Sequence, residues 1–160
     1  MRTIKAQPLT KEAFEQYGTY ASIVDPKGNC FGNYYPDQVR YHASGVMPVT
    51  FSALDSAKPE KMIVKEAEYH NKTGEGVLPI DDDVVLHVAP PSKEPVPELT
   101  EAFLVPKGTM VTLFPGVWHE AALPVHEDRV HVLIVLPERT YLTDSVRVTY
   151  SEEDQIEIIL

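Results

Sequence analysis

The chain has a single cysteine, Cys30, among its 160 residues. One thiol cannot close an internal disulfide, and it excludes the cysteine-rich zinc modules. A lone thiol without a redox partner fits a reducing compartment, and Cys30 reads as a passive residue of a Gly/Asn-rich turn. Cations are scarce too. Lys and Arg number 14 against 24 Asp and Glu, a net charge of −10. That balance argues against nucleic acid and anionic membrane surfaces, which need basic patches. No apolar run approaches the ~18 residues that span a bilayer. The start of the chain lacks the basic, apolar, small-residue progression of a secretory signal, so a cytoplasmic location is expected. Long helices are the last thing missing, because fourteen prolines are scattered along the sequence.

What is present is an ordinary apolar content, 43%, enough for one domain over residues 1–160 with a real core. One helix is expected near the start. Thr10 can cap it, Glu12 suits its first turn, Phe14 and Tyr17 share a face, and Gly18 supplies the stop. After Gly18 the chain reads as strands and turns. Segments 21–24, 39–42, 49–54, 62–70, 84–88, 102–105, 110–114, 130–136 and 146–150 are rich in Val, Ile, Thr, Tyr and Phe. Turns at Pro26-Lys27-Gly28, Lys72-Thr73-Gly74 and Pro106-Lys107-Gly108 separate some of them. Segment 90–97 holds four prolines and must be a loop. Many short strands at this spacing predict an all-β sandwich or barrel.

The chemistry concentrates in segment 62–70. Side chains at i and i+2 of a strand share a face, so Met62, Val64, Glu66, Glu68 and His70 fall on one side. If that side points inward, two carboxylates and an imidazole meet in a closed space, where repulsion and desolvation penalise each of them. A divalent cation removes both problems. The alternative is an edge strand with its acidic face in water. Among the other histidines, His87 and His131 lie in apolar strands and read as packed or pocket-wall residues, while His126 sits in a charged turn.

Two half-motifs resemble the cupin metal site. The first is Glu68-Tyr69-His70 with Glu75 and Pro79; the second is Gly108, Pro115, Gly116 and His119, with His119 eleven residues after Gly108. The resemblance implies a cupin-like β-barrel (a double-stranded β-helix, or jelly roll) with a short N-terminal helix. Its metal ligands would be Glu68, His70, Glu75 and His119. Two imidazoles and two carboxylates suit Mn, Fe(II), Ni or Zn without choosing among them.

Within the cupins the chain resembles the ureidoglycolate lyase family. The likeness runs through Pro8-Leu9-Thr10-Lys11-Glu12-Ala13-Phe14, Tyr17-Gly18, Arg40-Tyr41-His42, Glu66-Ala67-Glu68-Tyr69-His70, Gly74, Glu75, Pro79 and Val117-Trp118-His119. It implies cleavage of ureidoglycolate to urea and glyoxylate, and a homodimer. Glu66, Glu68 and His70 become the catalytic candidates. Arg40, His42 and Trp118 become substrate-binding candidates, with Arg40 as the natural clamp for a carboxylate. Three positions depart from the family: Glu75 where Gln is usual, Pro115 where Arg is frequent, and Glu120 where a second His is frequent. Each makes the site more acidic or less basic. A cupin sugar isomerase or epimerase, or a non-catalytic ligand-binding cupin, would use the same ligands behind a different pocket wall.

Overall fold

The computed structural model describes residues 1–160. The architecture is all-β and cupin-like, with fifteen strands numbered here in chain order and a short helix near the start. Three sheets carry the strands. The five-stranded sheet runs β3 (Gly18–Ser22), β10 (Thr109–Leu113), β7 (Glu75–Pro79), β13 (Arg129–Pro137) and β4 (Val49–Ala57). The seven-stranded sheet runs β14 (Val146–Thr149), β6 (Glu66–Tyr69), β11 (Trp118–His119), β8 (Val84–Ala89), β9 (Glu101–Val105) and β2 (Gln7–Pro8), with β12 (Leu123–Pro124) also paired to β8. The smallest sheet is β1 (Arg2–Lys5), β15 (Ile156–Ile159) and β5 (Met62–Val64). The hydrogen-bonded order of each sheet has two ends, so the strands do not run round into a closed ring.

Two apolar layers hold the sheets together. Val77, Val111, Leu113, Val130 and Val132 of the five-stranded sheet pack with Val84, Leu86, Val88, Phe103 and Val105 of the seven-stranded one. On the far side of the seven-stranded sheet, Val85, Ala89, Ala102 and Trp118 pack with Met62, Val64, Ile156 and Ile158. Strand β8 is therefore covered on both faces, and every one of its residues is buried. That explains its uninterrupted apolar run, since each side of the pleat meets a core.

The expected single strand over 62–70 is broken at Lys65 into β5 and β6. Met62 and Val64 pack in the same layer as Ala67 and Tyr69, so the pleat changes parity at the break. One displaced residue sends all later side chains to the other face. Met62 and Val64 thus do not share a face with Glu66, Glu68 and His70, as continuous alternation predicted. The apolar half serves the outer layer, and the carboxylates and imidazole lie on the opposite face of β6.

Other expectations shift for local reasons. The first helix spans Lys11–Phe14, with Thr10 Oγ1 accepting the Ala13 N–H as a cap. Gly18 opens β3 rather than merely stopping the helix. A Cβ there would lie 1.9 Å from the Thr112 carbonyl oxygen of β10, so only glycine allows this approach. Segment 39–42 forms no strand, and β3 ends at Ser22 rather than at residue 24. Two helical turns interrupt the later β region, at Pro97–Leu99 and Thr140–Thr143. No helix is long and apolar enough to cross a membrane.

Candidate metal centre

Three backbone features bring the polar side chains to one place. Strand β11 pairs with β6 so that His119 stands directly opposite Glu68, the register in which side chains touch. His70 follows the end of β6, and its carbonyl accepts the Gly116 N–H at 2.7 Å, tying it to the turn before His119. The turn over 71–74 then returns the chain, and Glu75 opens β7 with its side chain buried. That turn is pinned from outside. Asp144 Oδ1 and Oδ2 accept the Asn71 and Lys72 N–H groups at 3.1 and 2.8 Å. The His42 carbonyl accepts the Gly74 N–H at 2.6 Å.

Both imidazoles are oriented by backbone carbonyls. His70 Nδ1 donates to Asp144 O at 2.8 Å, and His119 Nδ1 donates to Val117 O at 2.9 Å. With Nδ1 committed as donor, each ring turns Nε2 inward. Both Nε2 atoms face the same oxygen, Glu75 Oε2, at 3.0 Å from His70 and 3.2 Å from His119. Two bare lone pairs against a carboxylate would repel, so positive charge belongs between them, either protons or a metal ion. The electrostatics follow the same logic. Burial acts to raise the Glu75 pKa, but His119 and His70 outweigh it and bring it down to about 2. Burial acts to lower that of His119, but Glu75 beside it raises it to about 9. One ligand atom each of Glu68, His70 and His119 lies within 4.8 Å of the others, a group that could hold a metal ion. The donor set fits a first-row divalent cation, with imidazole nitrogens locked in the ligating tautomer and anionic oxygen beside them.

These residues line a cavity of about 330 Å³. Leu54, Val77, Leu86, Ile134 and Leu136 form its apolar wall, and Glu120, Tyr141, Ser145 and Arg147 add polar groups. Ser145 Oγ donates to Glu68 Oε2 at 2.5 Å. Arg147 stands across from Glu68 in the β14–β6 register. Its guanidinium lies 3.1 Å from Glu68, 3.1 Å from Glu66 and 2.9 Å from Glu120. Burial raises the Glu120 pKa, with Arg147 and the Ala121 N–H acting against it.

Of the candidates from sequence, Glu68, His70, Glu75 and His119 meet in this cavity. Glu66 lies beside it, half-exposed and paired with Arg147. Arg40 and His42 are exposed on the segment before β4 and do not line the cavity. His42 contributes its carbonyl to the 71–74 turn and packs its ring on Phe114. Trp118 is buried on the other face of its sheet, against Tyr69, with its indole N–H donated to Ser92 Oγ. His131 is exposed and paired with Asp81, whereas His87 is buried. Sequence reasoning passed over Asp144, Ser145 and Arg147. The strand over 146–150 was legible, but its partner β6 was not, and only that pairing puts Arg147 beside Glu68.

A family model described as ureidoglycolate lyase matches residues 1–157. The chain belongs to the ureidoglycolate lyase family. It is similar to the ureidoglycolate lyase of Pseudomonas paraeruginosa, 29% identical over 145 residues that cover 84% of this chain and 83% of that one. It is also similar to the ureidoglycolate lyase of Pseudomonas putida, 26% identical over an alignment of 176 residues covering 99% and 98%. Among solved structures, a dTDP sugar isomerase from Desulfovibrio desulfuricans matches with a TM-score of 0.51 over 87% of this chain and 86% of that one. At 11% identity that likeness concerns the fold alone.

Proposed function

We propose that this family member is a metal-dependent lyase that splits ureidoglycolate into urea and glyoxylate. The observation that carries the reading is the pair of inward-facing Nε2 atoms beside two carboxylates, at the polar end of a cavity sized for a small hydroxy acid. Family membership supplies the substrate. Glu68, His70 and His119 hold the cation, and Asp144, Val117 and Ser145 keep those ligands in place. When bound, the cation supplies Lewis acidity that eases deprotonation of the substrate hydroxyl. Glu75, buried beside both imidazoles, is placed to accept the hydroxyl proton. As that O–H bond breaks, the carbonyl of glyoxylate forms. In the same motion the C–N bond gives its electron pair to the ureido nitrogen, which takes the proton back from Glu75 and leaves as urea. The apolar wall keeps water from the reacting carbon.

The test is to load the protein with Mn, Fe(II), Ni or Zn and measure urea and glyoxylate from ureidoglycolate. Equal amounts of both, above the uncatalysed rate, are expected. Glu75→Gln should retain the metal and lose roughly 10²- to 10⁴-fold in kcat, the usual weight of a general base. No release with any of the four metals would refute the lyase reading. Loss of metal from Glu75→Gln would move Glu75 into the ligand set.

A further inference from the structure

Arg147 is the only Lys or Arg side chain lining the cavity. Its setting differs from an ordinary surface ion pair. The side chain is 45% exposed and forms part of the cavity lining. Its three carboxylate neighbours come from different places: Glu66 and Glu68 from β6, and Glu120 from the residue after β11. Together they hold the group in position before any ligand arrives. They do not exhaust it. A guanidinium has five N–H donors, and three contacts leave at least two unassigned. Nor does every contact use a donor well. Glu120 Oε2 lies 2.9 Å from Nη1 yet has no aligned hydrogen bond. The group that fits an open guanidinium edge is a planar carboxylate, taken by two N–H donors at once.

We infer that Arg147 receives the carboxylate of the substrate, and so selects small acids over their neutral analogues. Arg40, the cation that sequence motifs favoured, is outside the cavity. The identity of the ligand rests on the lyase reading; the role of Arg147 rests on its place in the wall. With the carboxylate on Arg147, the hydroxyl-bearing carbon lies between the guanidinium and the imidazole pair, and the ureido group extends along the apolar wall. Three glutamates around one arginine also set the class of acid. A monocarboxylate is accepted, while a second carboxylate on the ligand meets only anions.

Binding of two inert probes separates this inference from turnover. N-carbamoylglycine carries the ureido group and the carboxylate but lacks the hydroxyl; N-carbamoylglycinamide replaces the carboxylate with a neutral amide. Calorimetric titration of metal-loaded protein should show the acid bound roughly ten- to a hundredfold more tightly than the amide, the range for a charge-assisted contact. Arg147→Ala should remove that preference and leave amide binding in place. Arg147→Lys should keep only part of it, because an ammonium cannot make the forked contact. If Arg147→Ala binds neither probe, the wall has collapsed and Arg147→Lys decides. An undiminished preference in Arg147→Lys, or equal binding of both probes by the parent, overturns the inference. Urea release with an unchanged KM in Arg147→Ala would sink the anchor and spare the lyase. A preference lost with Arg147 in a protein that releases no urea would do the reverse.

Discussion

At the residue scale the centre depends on two imidazoles whose outer nitrogens are already spent. His70 Nδ1 and His119 Nδ1 both donate to backbone carbonyls, so neither ring can turn its other nitrogen inward without losing that hydrogen bond. This is orientation made before a ligand arrives. It predicts a separation of function from folding. His70→Ala and His119→Ala should each lose metal by more than the tenfold to hundredfold that removal of an outer-shell partner costs. Each leaves Glu75 with one imidazole instead of two, at a cost of about 1–3 kcal/mol. That is smaller than the ~5–15 kcal/mol stabilising a typical domain, so the fold survives. Metal content by elemental analysis and folding by far-UV circular dichroism check both halves. A variant that keeps the parent's metal would remove that histidine from the site.

At the scale of elements, the pleat break at Lys65 and the close contact at Gly18 position the centre. The break gives Met62 and Val64 to one core layer and turns Glu68 and His70 to the other side. The contact lets β3 lie against β10, which in turn pairs with the strand that opens on Glu75. Gly18→Ala should destabilise the protein by about 1–3 kcal/mol, since backbone rather than a flexible side chain blocks the added methyl. A lowered midpoint in chemical denaturation would show it; an unchanged midpoint would mean that β3 can move away freely. The same two features mark how far sequence reading reached. Alternation placed Glu66, Glu68 and His70 on one face, and the resemblance to the cupin half-motifs brought in Glu75 and His119. Alternation could not reveal that the strand changes parity at Lys65, because both halves keep the same period. Arg147, Ser145 and Asp144 were illegible for a related reason. Their roles come from β14 pairing with β6 across more than seventy residues of chain, and no local pattern encodes a partner. Arg40 and His42 came from the family resemblance; their segment forms no strand, and neither residue lines the cavity.

On the scale of the whole molecule, the seven-stranded sheet has a core on each side, and His87 is buried on the outer one. Its Nε2 has no hydrogen-bond partner. Burial, helped by the charge of His119, pushes its pKa down to about 3. The ring therefore stays neutral in the fold while the unfolded chain takes up a proton near pH 6.5. Below that pH the unfolded state binds more protons, so stability falls as pH drops from 6.5 toward 3 and is unaffected above. Denaturation midpoints across pH 4.5–6.5 should decline in the parent and flatten in His87→Leu. Parallel slopes for the two proteins would mean that His87 is not held neutral.

One cation site, built by Glu68 of β6, His70 just after it and His119 of β11, is the centre of this reading. Diffraction data collected at the absorption edge of the loaded metal test it most directly. The account predicts a single anomalous peak in the cavity, about 2.0–2.2 Å from His70 Nε2, His119 Nε2 and a Glu68 oxygen. An ordered cavity without a peak, with both imidazoles still bonded only to Glu75, would contradict it.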